Sequence, residues 1–257
     1  MPSYERSFVV TARDVDPRNR VRADAIALML QESAAHHVDT WGMSIPDLNR
    51  EGRTWVLSRL AIEFGGRPGW KDELRVETWS RGYRGAIATR DYSVRCPDGS
   101  EAARATSVWF VIDLATRRPV RLAEYEGRSA HDPARASGAF EPGKIDPPAR
   151  PCASRRLAVR AADLDLNGHV NNTRYLEWLY ESVPEAVLAS RRLSRVEIHF
   201  LAETRYPDLA ELLSAPEPRA GTSAAADAAG EAGFVHSILR GDGVEAVRAR
   251  SLWSPIG

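Results

Sequence analysis

Leu193-Ser194-Arg195-Val196-Glu197-Ile198-His199-Phe200 repeats, 136 positions on, the stretch Leu57-Ser58-Arg59-Leu60-Ala61-Ile62-Glu63-Phe64. Each reads as a strand bounded by polar sequence. Two more pairs of blocks flank this one in the same order. Upstream, Asp14-Val15-Asp16 meets Asp163-Leu164-Asp165, and Leu30-Gln31-Glu32-Ser33 meets Leu179-Tyr180-Glu181-Ser182, both at an offset of 149. Downstream, Arg104-Ala105-Thr106-Ser107-Val108-Trp109 meets Arg248-Ala249-Arg250-Ser251-Leu252-Trp253 at an offset of 144. Three blocks in one order mark an internal duplication. The rise in offset from 136 to 144 places eight extra residues before the last hairpin. They fall in Ala215 to Gly233, rich in Ala, Gly and Pro, which reads as a mobile loop.

In the first copy, Tyr4 to Ala12 reads as a strand and Ala25 to Trp41 as a helix ended by Gly42. Strands follow at Trp55 to Phe64, Glu73 to Ser80, Ala88 to Arg95 and Ala102 to Leu114, with Pro97-Asp98-Gly99 as a hairpin turn. A helix apolar on most of its faces has to be wrapped by a sheet. The expected class is therefore α+β, one strand, a long helix and four antiparallel strands, twice. That pattern resembles the hotdog fold, a curled antiparallel sheet around a long central helix, here as two tandem domains. Residues 1–122 form the first and 154–257 the second. Between them, 123–153 carries Pro133, Pro142, Pro147, Pro148 and Pro151 with little apolar periodicity, and reads as a linker.

The formal net charge is +0, so nothing points to bulk attraction to nucleic acid or to a membrane surface. No apolar run approaches spanning length, and the N-terminus lacks a signal core. Cys96 and Cys152 stand far apart without a partner motif, which fits a reducing cytoplasm. His36-His37 lies on the first helix and reads as packing or surface and not as a metal site. Trp41, Trp70, Trp79, Trp109 and Trp253 read as core or groove walls.

Chemistry concentrates at Asp163-Leu164-Asp165-Leu166-Asn167-Gly168-His169-Val170-Asn171-Asn172. Asn167-Gly168 is a turn dipeptide, and Asn171 or Asn172 can cap the helix that follows. Asp165, Asn167 and His169 thus gather where a helix start offers free N–H groups. A plain solvated turn would read the same way. Against that, Asn167 faces Arg18 in the other copy, His169 faces Arg20 and Glu203 faces Arg67. A structural role would be shared by both copies, so the asymmetry favours function. His169 can hydrogen-bond water or a thiolate leaving group, Glu203 can act as a base on water, and Asn167 can donate to a carbonyl oxygen. Asp165 can orient His169 or attack an acyl carbon.

Residues 165–172 closely resemble the Asp-x-Asn-x-His-Val-Asn-Asn segment of acyl-acyl-carrier-protein (acyl-ACP) thioesterases of plant plastids and their bacterial relatives. In the first copy, Trp55-Val56-Leu57-Ser58-Arg59, Ala105-Thr106-Ser107-Val108-Trp109 and Thr116-Arg117-Arg118 are similar to further family segments. The resemblance implies that the catalytic Asp, Asn and His fall on Asp165, Asn167 and His169. The catalytic Glu, 34 positions after the His, falls on Glu203. The family's usual Cys is here Thr204. The implied activity is hydrolysis of fatty acyl-ACP without cofactor or metal. The implied partner is an acidic carrier protein bearing an acyl phosphopantetheine thioester, met by an Arg-rich face. The acyl chain is expected in a first-domain pocket, with Ala27, Met29 and Ala34 as substrate-binding candidates. An acyl-coenzyme A thioesterase, a hotdog hydratase or dehydratase, and a non-catalytic acyl-binding protein are the rival readings. Chain-length preference and oligomeric state, a homodimer included, stay open.

Overall fold

Alternating side chains make Ser3–Val9 a strand, β1. After a turn, Ala23–Asp39 forms α1, a helix of 17 residues whose buried set includes Ala23, Ile26, Met29, Leu30, Ser33 and His37. These positions cover more than one face, so α1 is enclosed and packs against strands. Ile45–Arg50 forms a short helix, α2. The Ser44 hydroxyl accepts from the Asp47 N–H, and the Asp47 carboxylate accepts from the Ser44 N–H. Six residues are too few for a periodic signal, so α2 is legible only from that cap. The strands Arg53–Phe64 (β2), Glu73–Arg84 (β3), Ile87–Arg95 (β4) and Glu101–Asp113 (β5) complete an antiparallel sheet in the order β1-β3-β4-β5-β2.

The computed structural model describes residues 2–66, 68–139, 141–148, 153–217 and 230–256. The chain divides into two compact units, Met1–Pro142 and Gly143–Gly257. Arg67, Pro151 and Cys152 lie outside the described residues.

The second unit repeats the first. Its strands are Ala153–Ala158 (β6), Arg191–Phe200 (β7), Leu209–Pro216 (β8), Ala232–Arg240 (β9) and Glu245–Pro255 (β10). They pair antiparallel in the order β6-β8-β9-β10-β7, which is the order of the first sheet. The helix between β6 and β7 is Asn172–Glu181 (α3), followed by the short Glu185–Ser190 (α4). At 10 residues α3 is shorter than the long helix expected in each copy. Pro184 disfavours helix in the residue before it, and the chain turns at Ser182 and Val183.

Two segments behave differently from their sequence. Ala215 and Pro216 pair with Val235 and Phe234, and Ala232 and Gly233 pair with Trp253 and Leu252, so both ends of the expected loop are strand. Small side chains hide a strand, because ladder bonds need only backbone groups. The rest of that expectation, 218–229, lies outside the described residues. The proline-rich segment is anchored to the first unit up to Pro142. Leu122 and Tyr125 join Met43, Leu48 and Val111 in a buried cluster. The Arg135 guanidinium lies 3.8 Å from the Trp79 ring centre, and Trp79 Nε1 donates to the Arg135 carbonyl at 3.0 Å. Among the described residues, no helix is long and apolar enough to cross a membrane.

Candidate active site

The loop before α3 is built by its own backbone. Asp165 N–H donates to the His169 carbonyl at 2.8 Å, and Gly168 N–H to the Asp165 carbonyl at 3.0 Å. Gly168 sits at φ +73°, a left-handed conformation that glycine adopts at least cost. Asp165 Oδ1 accepts from the N–H of Asn167 at 2.8 Å and of His169 at 3.2 Å. Asn171 caps α3, its Oδ1 accepting from Thr173 N–H at 3.0 Å.

Val170 N–H donates to the Thr204 carbonyl at 2.9 Å, tying this loop to the segment after β7. That bond brings the two titratable groups together. His169 Nε2 lies 3.1 Å from Glu203 Oε2, with side chains 18% and 36% exposed. Both are partly exposed to solvent, yet held by structure. Glu203 is fixed from behind, since Arg240 Nη1 donates to its carbonyl at 2.8 Å. Arg205 Nη2 stands 2.8 Å from the same His169 Nε2 and 3.5 Å from Glu203 Oε2. Arginine only donates. Nε2 can therefore accept from Arg205 or donate to Glu203, and the two contacts exclude each other.

Two groups on the elements that flank this loop are shifted from their ordinary range. Burial works against the charge of Asp163, but Arg160 and Arg174 hold its carboxyl below the usual range. On α3, burial pushes the Tyr175 hydroxyl up to about 12, so it stays protonated. Thr204 is 1% exposed, its hydroxyl turned away from solvent.

Of the four expected polar residues, the structure joins His169 and Glu203 directly. Asp165 acts on His169 through the backbone and not through the ring. Asn167 is exposed at the turn, with its N–H on Asp165. Ala27, Met29 and Ala34 are buried on α1 in the first unit. At 100° per residue Ala27 and Ala34 share a face, whereas Met29 points about 160° away from Ala27, so the three do not line one wall.

The first unit carries the same loop bond for bond. Asp16 N–H donates to the Arg20 carbonyl at 2.8 Å and Asn19 N–H to the Asp16 carbonyl at 2.9 Å. Asp16 Oδ1 accepts from Arg18 and Arg20 N–H at 2.9 and 3.0 Å. Asn19, at φ +55°, stands where Gly168 does. Val15 bridges Val21 as Leu164 bridges Val170. The asymmetry thus sets Asn167 and His169 in place of Arg18 and Arg20 on an identical frame. It does not extend to Asp165, a catalytic candidate whose counterpart Asp16 makes the same backbone contacts. Arg205 is the residue of this candidate site that sequence reasoning missed. Its signal was its position two residues after Glu203.

A second pair of polar residues is structural. His236 Nε2 lies 2.7 Å from Ser251 Oγ and its Nδ1 3.0 Å from Ser182 Oγ, all buried. The first unit has Tyr92 at 3.1 Å from Ser107 Oγ, and each serine also accepts from a Trp Nε1, Trp109 or Trp253. A contact present in both copies is scaffold, so Ser251–His236 is no nucleophile and base.

Residues 2–126 match the acyl-ACP thioesterase N-terminal domain, and residues 148–255 match the acyl-ACP thioesterase C-terminal domain. The chain is 30% identical to oleoyl-acyl carrier protein thioesterase of Coriandrum sativum, over 98% of this chain and 76% of that one. It is 29% identical, over the same shares, to oleoyl-acyl carrier protein thioesterase 2 of Arabidopsis thaliana. The fold matches the crystal structure of an acyl-ACP thioesterase from Bacteroides thetaiotaomicron with a TM-score of 0.82, at 26% identity, covering 98% of each chain. That places both units in the hotdog fold. The two domain matches together span most of the chain and agree with these relatives: the chain belongs to the acyl-ACP thioesterase family.

Proposed function

We propose that this chain hydrolyses fatty acyl thioesters presented by acyl carrier protein, with Glu203 and His169 as its catalytic pair. The observation that carries this is the 3.1 Å contact between His169 Nε2 and Glu203 Oε2 at a solvent-open position. Glu203 takes a proton from water as the water oxygen attacks the thioester carbonyl carbon. The oxyanion that forms takes a hydrogen bond from the Asn167 amide, which is free to turn towards substrate. Collapse breaks the carbon–sulfur bond. The proton passes from Glu203 through His169 to the leaving thiolate, so the products are a fatty acid and a free carrier thiol. Asp165 holds the loop in the geometry this needs. Arg205 has to release Nε2 for the proton to pass. The buried hydroxyl of Thr204 takes no part. The two plant relatives named above are chloroplastic, and a cytoplasmic setting for this chain belongs to the proposal.

Steady-state hydrolysis of acyl-ACP by single variants tests it, with acyl-coenzyme A run in parallel and folding checked by melting. Glu203→Gln keeps size and hydrogen bonding but removes the basic oxygen, and should lower kcat on the order of a hundredfold or more. His169→Ala should be comparable. Thr204→Ala should stay within about tenfold. A folded, inactive Thr204→Ala beside an active Glu203→Gln would replace the carboxylate mechanism with a hydroxyl nucleophile. Preference for acyl-coenzyme A would move the substrate class.

A further inference from the structure

The ends of the second sheet place an apolar surface around the catalytic pair. β7 ends at Phe200, β8 begins at Leu209, β9 ends at Arg240 and β10 begins at Glu245. The register sets these ends side by side, with Phe200 opposite Val247, Ala210 opposite Arg240 and Leu239 opposite Glu245. The Asp163–Val170 loop joins the same pole through Val170 and Thr204. Among the described residues of this unit, the exposed large apolar side chains are Leu166, Leu201, Tyr206, Leu209 and Val244. Every one of them lies at this pole. Leu166, between Asp165 and Asn167, is 99% exposed, and the others are between 42% and 58% exposed. The opposite pole, marked by Pro216 opposite Phe234, is about 20 Å away along the strands. Single exposed apolar residues are ordinary, but five gathered on one pole beside a reactive pair are not.

We infer that this pole is the docking surface for the carrier protein, with Leu166, Tyr206, Leu209 and Val244 as its apolar contacts. The inference rests on the acyl-ACP reading above. His169 and Glu203 open to solvent here, so a thioester on a flexible arm arrives from this side, and its carrier must stop against what surrounds the opening. The charges that face outward suit an acidic partner. In the pairs Arg160–Asp163 and Arg205–Glu203 the arginine side chains are 65% exposed, against 1% and 36% for the carboxylates. The Arg240–Asp242 pair runs the other way, with the carboxylate the more exposed partner. The expected Arg-rich face thus becomes an apolar one with two outward guanidinium groups. A protein contact of this kind takes its strength from a few buried apolar anchors.

The test compares one acyl group on two carriers, acyl-ACP and the bare acyl-pantetheine arm, with the full chain. Leu209→Ser combined with Val244→Ser, and separately Leu166→Ser, should raise KM for acyl-ACP on the order of tenfold. Neither should change kcat/KM for acyl-pantetheine, which has no protein surface to dock. These side chains are exposed, so folding is not at stake. Equal losses on both substrates would assign the patch to the site itself, and unchanged KM on acyl-ACP would remove the docking role. Conversion of a dimer to a monomer in sedimentation, with KM on acyl-ACP unchanged, would make the pole a contact between two copies and overturn the inference. A wild-type chain active on acyl-pantetheine but idle on acyl-ACP would instead overturn the substrate reading.

Discussion

Asp165 and Asp16 hold two backbone N–H groups each, at matching positions in matching loops. What distinguishes the second loop is the pair of side chains mounted on it, Asn167 and His169 in place of Arg18 and Arg20. The family pattern assigns Asp165 to catalysis, and its geometry assigns it to the turn. Asp16→Asn and Asp165→Asn separate the two. Asn keeps an acceptor oxygen but loses the charge, so each variant should lose about 1 kcal/mol of stability. Equal drops in melting temperature are expected. Turnover should be unchanged in Asp16→Asn and lowered by no more than about tenfold in Asp165→Asn. A loss at Asp165 as deep as that of Glu203→Gln would put its carboxylate at the acyl carbon. The sequence could single out Asp165, Asn167, His169 and Glu203 as candidates, because residue type and spacing survive without a structure. It could not show that Asp165 serves the backbone, nor that Arg205 competes for His169, because both depend on where chain ends meet.

At the level of elements, the duplicated strands were legible because their alternation is strong and their partners repeat it. The short α2 and the strand ends at Ala215 and Gly233 were not, since a six-residue helix has no period and small residues carry no strand signal. The repeat also explains an odd core residue. β9 presents His236 where β4 presents Tyr92, each on a serine of the neighbouring strand. Burial lowers the His236 pKa from 6.5 to about 3, so the folded chain keeps this ring neutral. Between those values the unfolded chain binds a proton that the folded chain refuses. Stability contributed by the neutral ring is present above about pH 6.5 and falls as pH drops towards 3. The slope is at most about 1.4 kcal/mol per pH unit. His236→Gln can still bridge Ser182 and Ser251 but does not titrate. Its melting temperature at neutral pH should be lower than wild type, and its decline from pH 6.5 to 4 should be shallower. Parallel declines would show that other groups govern the acid side.

Over the whole molecule, duplication gives two units with one strand order, and among the described residues the His169–Glu203 pair belongs to the second. The first keeps a longer enclosed helix, 17 residues against 10, and presents Arg18 and Arg20 where the second has its polar set. On the proposed mechanism the first copy is free of chemistry, and we propose that it holds the acyl chain. On that division, changes inside the first unit should alter which chain is released, while changes at His169 or Glu203 should alter only how fast. The faces of α1 sharpen the expectation. Ala27 and Ala34 share one face, so enlarging either to Leu should act alike, and if that face borders the chain both should shift the product profile to shorter acids. Each Leu adds about three methylenes of volume at a buried position, with a stability cost of roughly 1–3 kcal/mol. Met29, on another face, should change stability more than profile when replaced by Leu. The measurement is the distribution of fatty acids released from a mixed acyl-ACP pool. Ala27→Leu and Ala34→Leu profiles identical to wild type, beside a shifted profile from a second-unit core change, would place the acyl chain in the second unit and end the division of labour.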